Sequence, residues 1–160
     1  LNKEARSELS GSPELTQERH RRVISFYLSK ELFGFEIKYV SRVIEPEKLW
    51  FVPRAPFFLR GVINHRGKVI AVIDLGQFLG MKMKEIDMES RVIILDNEEF
   101  YIGFLVDRVE RIESVPVFGD TVQEPSGGNP YISSVVNLGG RIFNMINLAK
   151  LLEEIESYFG

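Results

Sequence analysis

The 160 residues contain no cysteine. That excludes a disulfide framework and thiolate metal sites, and it fits a reducing compartment. Only two histidines occur, His20 and His65, and nothing supplies a third ligand at a recognisable spacing, so no metal site is expected. No apolar run approaches twenty residues and no signal-peptide pattern is present, so neither membrane insertion nor export is expected. The first residue is Leu, so a start segment is expected to be missing or cut. Neither sign of charge dominates: 20 Lys and Arg against 23 Asp and Glu leave a net charge of −3, which argues against a nucleic-acid binder. Gly-x-Ser-x-Gly, P-loop and dinucleotide fingerprints are absent, and Gly127-Gly128 is too short to cradle phosphate. Asp74 and Asp107 make a carboxylate pair on paper, but Asp74 reads better as a helix cap and Asp107 as a strand end. No enzyme and no cofactor are supported.

What the chain does have is a repeat. Val23-Ile24, Phe33-Gly34-Phe35, Val40 and Arg42 recur 69 positions later as Val92-Ile93, Ile102-Gly103-Phe104, Val109 and Arg111. A second block, Val62-Ile63-Asn64-His65-Arg66-Gly67-Lys68 with Val72-Ile73-Asp74-Leu75, returns 73 positions on. There it reads Val135-Val136-Asn137-Leu138-Gly139-Gly140-Arg141 with Met145-Ile146-Asn147-Leu148. Two related halves in one block order imply two similar β-rich lobes. With 44% hydrophobic residues the chain suits one compact domain or two small fused lobes.

Residues 1–22 are polar and read as a mobile tail; the Arg19-His20-Arg21-Arg22 run is a solvated lead-in to a strand. Hairpins are predicted over 23–37, 61–74, 91–107 and 132–146, and the segments 43–52 and 108–118 are predicted to be extended. Phe57 to Leu59 is expected to be a core plug, 81–89 a linker and 119–131 a surface loop. Asp74 would cap a short helix over 75–80, and Asn147 a final helix whose stripe is Leu148, Leu151, Leu152, Ile155 and Phe159. The lobes would span about 23–80 and 90–147, followed by the helix at 148–159, with a chain crossover between lobes left open. Small closed barrels remove exposed edges at this size, so two of them side by side are the expected architecture.

The copies differ at the turn tip, where the first has Arg66 and the second Gly139. A guanidinium on a rigid turn is a directional donor to carboxylates, and Arg is enriched at binding hot spots. Val40 and Gly61 are expected to leave a low apolar patch beside it for a partner helix. The plainer reading makes Arg66 the exposed polar residue of a turn, and His65 a turn residue.

The stretch from Arg60 to Leu75 resembles the central motif of the CheW-type chemotaxis coupling proteins. Leu32 to Ile37, Val106-Asp107-Arg108-Val109 and Ile132 to Leu152 are similar too, so the resemblance covers about Val23 to Phe159. It implies a mainly β fold of two five-stranded SH3-like barrels with short helices and a C-terminal helix. It also implies a non-catalytic, cytoplasmic adaptor coupling transmembrane chemoreceptors to a CheA-type histidine kinase. On this resemblance the tip of a methyl-accepting receptor meets Val40, Gly61 and Arg66, with Gly67 as the turn glycine. The kinase's regulatory domain meets exposed barrel ends that include Gly139 and Gly140. Arg42, His65, Ala71 and Gly76 depart from the usual pattern, which bears on which receptor and kinase are served. Alternatives are a CheW-like regulatory domain cut from a kinase or receiver fusion, and a small-ligand barrel with an anion pocket at Arg66 and His65.

Overall fold

The computed structural model describes residues 20–96, 101–125 and 127–159. Residues 1–19 of the expected tail and the Asn97-Glu98 hairpin tip lie outside that range. In chain order the elements are β1 (His20–Leu28), β2 (Glu31–Glu36), a 3-10 turn (Ile37–Tyr39), β3 (Val40–Ile44), β4 (Leu59–His65), β5 (Lys68–Asp74) and α1 (Leu75–Phe78). Then come β6 (Arg91–Asp96), β7 (Tyr101–Val106), β8 (Arg108–Pro116), β9 (Val122–Gln123), β10 (Ile132–Leu138), β11 (Arg141–Ile146) and α2 (Leu148–Ser157). The hairpins stand where the alternation and turn residues put them. Several boundaries differ; the helices, for example, end at Phe78 and Ser157 rather than at 80 and 159. The first strand starts inside the expected tail, at His20, because β8 extends far enough to pair with it through Pro116. The extended stretch 43–52 stops being a strand at Ile44, ahead of Pro46. The loop 119–131 contains β9.

Two sheets result, in the orders β8-β1-β2-β11-β10-β9 and β3-β6-β7-β5-β4. The fold is mainly β, as expected, and the first sheet has six strands rather than five because β9 joins it. The sheets do not follow the chain halves 23–80 and 90–147. Each takes its leading hairpin from one copy of the repeat and its remaining strands from the other. The β1–β2 hairpin pairs with β8 and β11, and the β6–β7 hairpin pairs with β3 and β5. The physical reason is connection length. Only the turn Ile37–Tyr39 separates β2 from β3, and only Asp107 separates β7 from β8, so neither strand can cross back over the length of its own hairpin to pair antiparallel with that hairpin's first strand. The joins β2–β11 and β5–β7 are parallel, which demands long crossovers and ties distant chain segments together.

The copies match to the residue. A register shift between Leu59 and Gly61 recurs between Ile132 and Ser134. Trp50 bridges to Val62 as Gln123 pairs with Val135, sealing each sheet with the segment that follows its third strand. The Asp74 amide donates to the Phe58 carbonyl at 2.7 Å, and the Asn147 amide to that of Tyr131 at 2.7 Å.

Burial explains the nearly continuous apolar runs. One cluster, with Ile63, Ile70, Val72, Val92, Ile94 and Leu105, fills the five-stranded sheet. A second, with Val23, Leu32, Val115, Val136 and Phe143, fills the other. The largest lies between the sheets and gathers Phe26, Phe33, Phe35, Ile73, Ile93, Leu95 and Phe104 with α2. Along β6, Val92 and Ile94 point into the small core while Ile93 and Leu95 point into the shared one. A strand covered on both faces has no polar side to show.

Asn147 caps α2 by accepting from the Lys150 amide, and Leu148, Leu151, Leu152 and Ile155 are buried against the shared core. Each contributes about 1.5–3 kcal/mol before entropy is subtracted. Phe159 lies past the helix end and is 52% exposed, so it leaves the expected stripe. Of the expected plug, only Phe58 is fully buried: Phe57 is 63% exposed, because successive residues face opposite ways, and Leu59 is half-buried. Phe58 is ringed edge-on by Phe57, Phe78 and Tyr158.

The interleaving predicts that a cut within 82–89 yields two pieces that each hold strands of both sheets and complete neither. Neither piece should show cooperative thermal unfolding by circular dichroism alone; mixed, they should recover it.

Candidate functional site

The β4–β5 hairpin closes on a two-residue turn with both central residues in the left-handed region, Arg66 at φ 56° and Gly67 at φ 82°. This turn type matches the twist of the strands it joins and favours Asn-Gly or Gly-Gly. The second hairpin obeys that preference with Gly139 at φ 59° and Gly140 at φ 93°. In both, an asparagine side chain braces the turn: Asn64 Oδ1 accepts from the Gly67 amide at 3.1 Å, and Asn137 Oδ1 from the Gly140 amide at 2.9 Å. The first copy therefore holds an arginine where its twin has glycine, at a cost of roughly 1–2 kcal/mol for a left-handed side chain. Arg66 is exposed and makes no hydrogen bond or ion pair among the described residues.

The flanks of the turn are pinned. His65 is largely covered, its Nδ1 is 3.7 Å from Glu47 Oε2, and its Nε2 is buried without a partner. His65 is thus more enclosed than a turn residue at a hairpin tip. Lys68 lies 4.8 Å from the Tyr101 ring centroid and 3.8 Å from Asp96 Oδ2.

Gly61, Arg66 and Gly67 share one hairpin, but Gly61 stands roughly 16 Å of strand from the tip. It is buried at φ 147°, and a Cβ there would come within 2.7 Å of the Trp50 carbonyl oxygen, so its smallness serves the bridge that seals the sheet. Val40 opens β3, opposite Leu95, and packs half-buried on the shared core. The apolar patch expected directly beside Arg66 is therefore not made by Val40 and Gly61. Among the departing residues, Arg42 and Ala71 are half-buried on β3 and β5, and Gly76 sits in α1, where an added Cβ would lie 3.6 Å from Asp74 Oδ1.

Sequence reasoning found Asp74 as a cap but missed its second role. Its Oδ1 accepts from the Gln77 amide, while its Oδ2 meets Arg60 Nη1 at 2.7 Å, both side chains being mostly buried. Arg60 also donates to the Lys84 carbonyl and so ties down the 81–89 linker. The Arg66-Gly67 turn fixes the hairpin register, and that register, followed back along β4, sets Arg60 beside Asp74. Asp107, read as a strand end, instead accepts from the Ser29 amide across the seam at 2.6 Å.

Beside the second turn the charges are consumed internally. Arg141 meets Glu113 at 2.8 Å and Glu110 at 3.7 Å, and the Ser25 hydroxyl donates to Glu113 at 2.7 Å. Burial pulls the Glu113 carboxyl up, but bonds from Arg141 and Ser25 outweigh it and hold the group below the usual glutamate range. At this end the turn carries no side chain, and Arg141 is neutralised by Glu113 and Glu110. Among the described residues no three His, Asp or Glu side chains converge on a metal-sized site, and no helix is long and apolar enough to cross a membrane.

Residues 22–156 match the sequence profile of the CheW-like domain. The chain is 32% identical over 136 residues to the chemotaxis protein CheW of Thermotoga maritima, covering 83% of this chain and 88% of that one. It is 30% identical over 125 residues to protein FrzA of Myxococcus xanthus, covering 75% and 78%. The crystal structure of the scaffolding protein TtCheW from Thermoanaerobacter tengcongensis is similar with a TM-score of 0.68 and 26% identity, covering 79% of this chain and 88% of that one.

Two outcomes follow from the turn and the network. Arg66→Asn should stabilise the fold by about 0.5–1 kcal/mol, since Asn tolerates the left-handed region; denaturant midpoints measure it. Glu113 binds fewer protons folded than unfolded, so its contribution is complete above the ordinary glutamate range and is lost as pH falls through its lower folded value. Glu113→Gln should lower stability at neutral pH and flatten the acid limb of the stability profile.

Proposed function

The chain belongs to the CheW-like domain family, and we propose that it is a non-catalytic adaptor that couples transmembrane chemoreceptors to a CheA-type histidine kinase. The observation that carries this reading is Arg66: an exposed guanidinium, unpaired among the described residues, on a strained turn that the duplicate hairpin builds with glycine. Strain retained at a surface position is a mark of function. The receptor's helical tip is assigned to this end of the molecule, with Arg66 as its directional donor, Gly67 completing the turn, and Val40 and Gly61 shaping the sheet behind it. The kinase's regulatory domain is assigned to the end at Gly139 and Gly140, where the turn carries no side chain and Arg141 is already paired within the chain.

Action is mechanical on this reading. A single interleaved body transmits the orientation of one bound partner to the other without a hinge of its own, so a receptor state biases a kinase state. Many such links in an array allow each contact to be weak. The protein would then lie in the cytoplasm against receptor clusters. The similarity to FrzA as well as to chemotaxis proteins supports a chemosensory pathway without naming its stimulus.

Co-purification tests the proposal. The full chain should retain both a CheA-type kinase and a chemoreceptor cytoplasmic fragment. Arg66→Ala should weaken receptor retention roughly tenfold, the scale of an interfacial arginine, and leave kinase retention unchanged. Failure of the parent chain to hold either partner would overturn the adaptor reading.

A further inference from the structure

Methionine is scarce in this chain, and three of its four copies, Met81, Met83 and Met88, fall within eight residues. All three lie on the segment that carries the chain from α1 to β6. That segment is a strap laid over the seam. Its start is fixed by the Met81 amide, which donates to the Gly76 carbonyl at 2.8 Å. Its end is fixed by a turn in which the Ser90 amide donates to the Asp87 carbonyl and the Asp87 amide to the Ser90 hydroxyl. Between these points, residues 82–86 make one main-chain bond among the described residues, from Arg60 to the Lys84 carbonyl at 3.3 Å. Side chains supply the remaining hold. Met81 packs half-buried on the shared core. A cavity of about 200 Å³ under the strap is walled by Met81, Met83 and Ile86 on one side and by Leu28, Leu105 and Val106 of the two sheets on the other.

The surroundings of the Met81 sulfur are set by Gly76. A Cβ at that position would lie 3.9 Å from Met81 Sδ and 3.6 Å from Asp74 Oδ1, so the sulfur and the carboxylate border one gap that no side chain fills. Asp74 is buried, and its oxygens already accept from the Gln77 amide and from Arg60. Arg60 Nη1 is in turn shared between Asp74 and the Lys84 carbonyl. A thioether tolerates such a place, because it is a weak acceptor that packs as an apolar group. A sulfoxide oxygen does not tolerate it. It accepts strongly, cannot donate, and would face a carboxylate with no uncommitted donor beside it. Met83 and Met88 differ: they are 57% and 92% exposed, so an oxygen added there projects into water.

We propose that Met81 is a reversible oxidation site whose sulfoxide releases the strap from the seam. The oxidant is a hydroperoxide. The sulfur lone pair attacks one peroxide oxygen, an S–O bond forms and the O–O bond breaks. With hydrogen peroxide, the proton on the transferred oxygen passes to the departing hydroxide, which leaves as water. Sulfur loses two electrons and the peroxide gains them. A thiol-dependent methionine sulfoxide reductase restores the thioether, releasing the oxygen as water and leaving the thiols as a disulfide. Residues 82–86 belong to no strand, so the strap can lift while both sheets stay paired. The inference does not depend on which partners the chain binds.

Two strap lysines, Lys82 and Lys84, make the test direct, because native trypsin cleavage follows local opening. The full chain is treated with hydrogen peroxide, each sulfoxide is located by peptide mass mapping, and brief trypsin cleavage is quantified at every lysine. Met88 and Met83 should convert first and leave cleavage unchanged. As Met81 converts, cleavage after Lys82 and Lys84 should rise about tenfold, the scale of one unsatisfied buried acceptor, while cleavage at other lysines stays as before. Reductase with dithiothreitol should reverse the rise. Met81→Leu keeps the apolar contact and should make cleavage indifferent to peroxide, whereas the double variant Met83→Leu, Met88→Leu should respond as the parent does. The proposal is overturned if Met81 resists peroxide that fully converts Met83 and Met88, if its conversion leaves strap cleavage unchanged, or if Met81→Leu responds like the parent.

Discussion

Everything in this molecule depends on two small sheets burying their outer faces against each other. Each sheet closes on a modest core of its own, five or six side chains at the centre. The larger cluster lies between them and includes Phe26, Phe33, Phe35, Phe58 and Phe104 together with α2. Small barrels hold little apolar volume, so the shared layer supplies what neither interior can. Strands that must serve two cores at once are apolar on both faces, and this is why Val92-Ile93-Ile94-Leu95 shows no polar alternation.

The shared core also explains how an adaptor could be rigid. Hairpins and third strands are exchanged between the two copies of the repeat, so separating the lobes would mean breaking the pairings of β1 with β8 and of β3 with β6. Asp107 bonds across the exchange to Ser29, and Arg60 with Asp74 clamps the linker at 81–89 through the Lys84 carbonyl. A protein that holds partners in register benefits from having no soft joint between its lobes. Such a frame leaves function to side chains that the frame does not need. The two ends of the molecule diverge accordingly: Arg66 has no partner among the described residues, while Arg141 beside the other turn is spent on Glu113 and Glu110.

Much of this was legible in the linear chain. Alternation and Gly-containing turns located the hairpins, because those signals are local and each turn specifies its own register. The repeat announced two like lobes, and the motif around Arg66 announced the family. The caps at Asp74 and Asn147 were readable for the same reason, since a cap is decided within four residues. The lobe boundaries were not readable. Nothing local in Ile37–Tyr39 or Asp107 states which distant strand the chain will meet next. Gly61 looked like part of a contact patch, and only the approach of Trp50 revealed it as a packing requirement. Phe57 looked like core because an apolar run does not show which of its members face outward, and Phe159 because periodicity alone cannot tell which residues fall beyond the last covered turn.

By itself the sequence determined the strands, the turns, the duplication and the arginine that breaks its symmetry, all of which arise from contacts between residues close along the chain. Tertiary structure alone decided that the copies trade strands, that Asp74 is shared between a helix and Arg60, and that Met81 packs on the shared core. Those outcomes depend on pairings between segments far apart in the chain, where many registers satisfy the same local pattern and only the closing of a common core selects one.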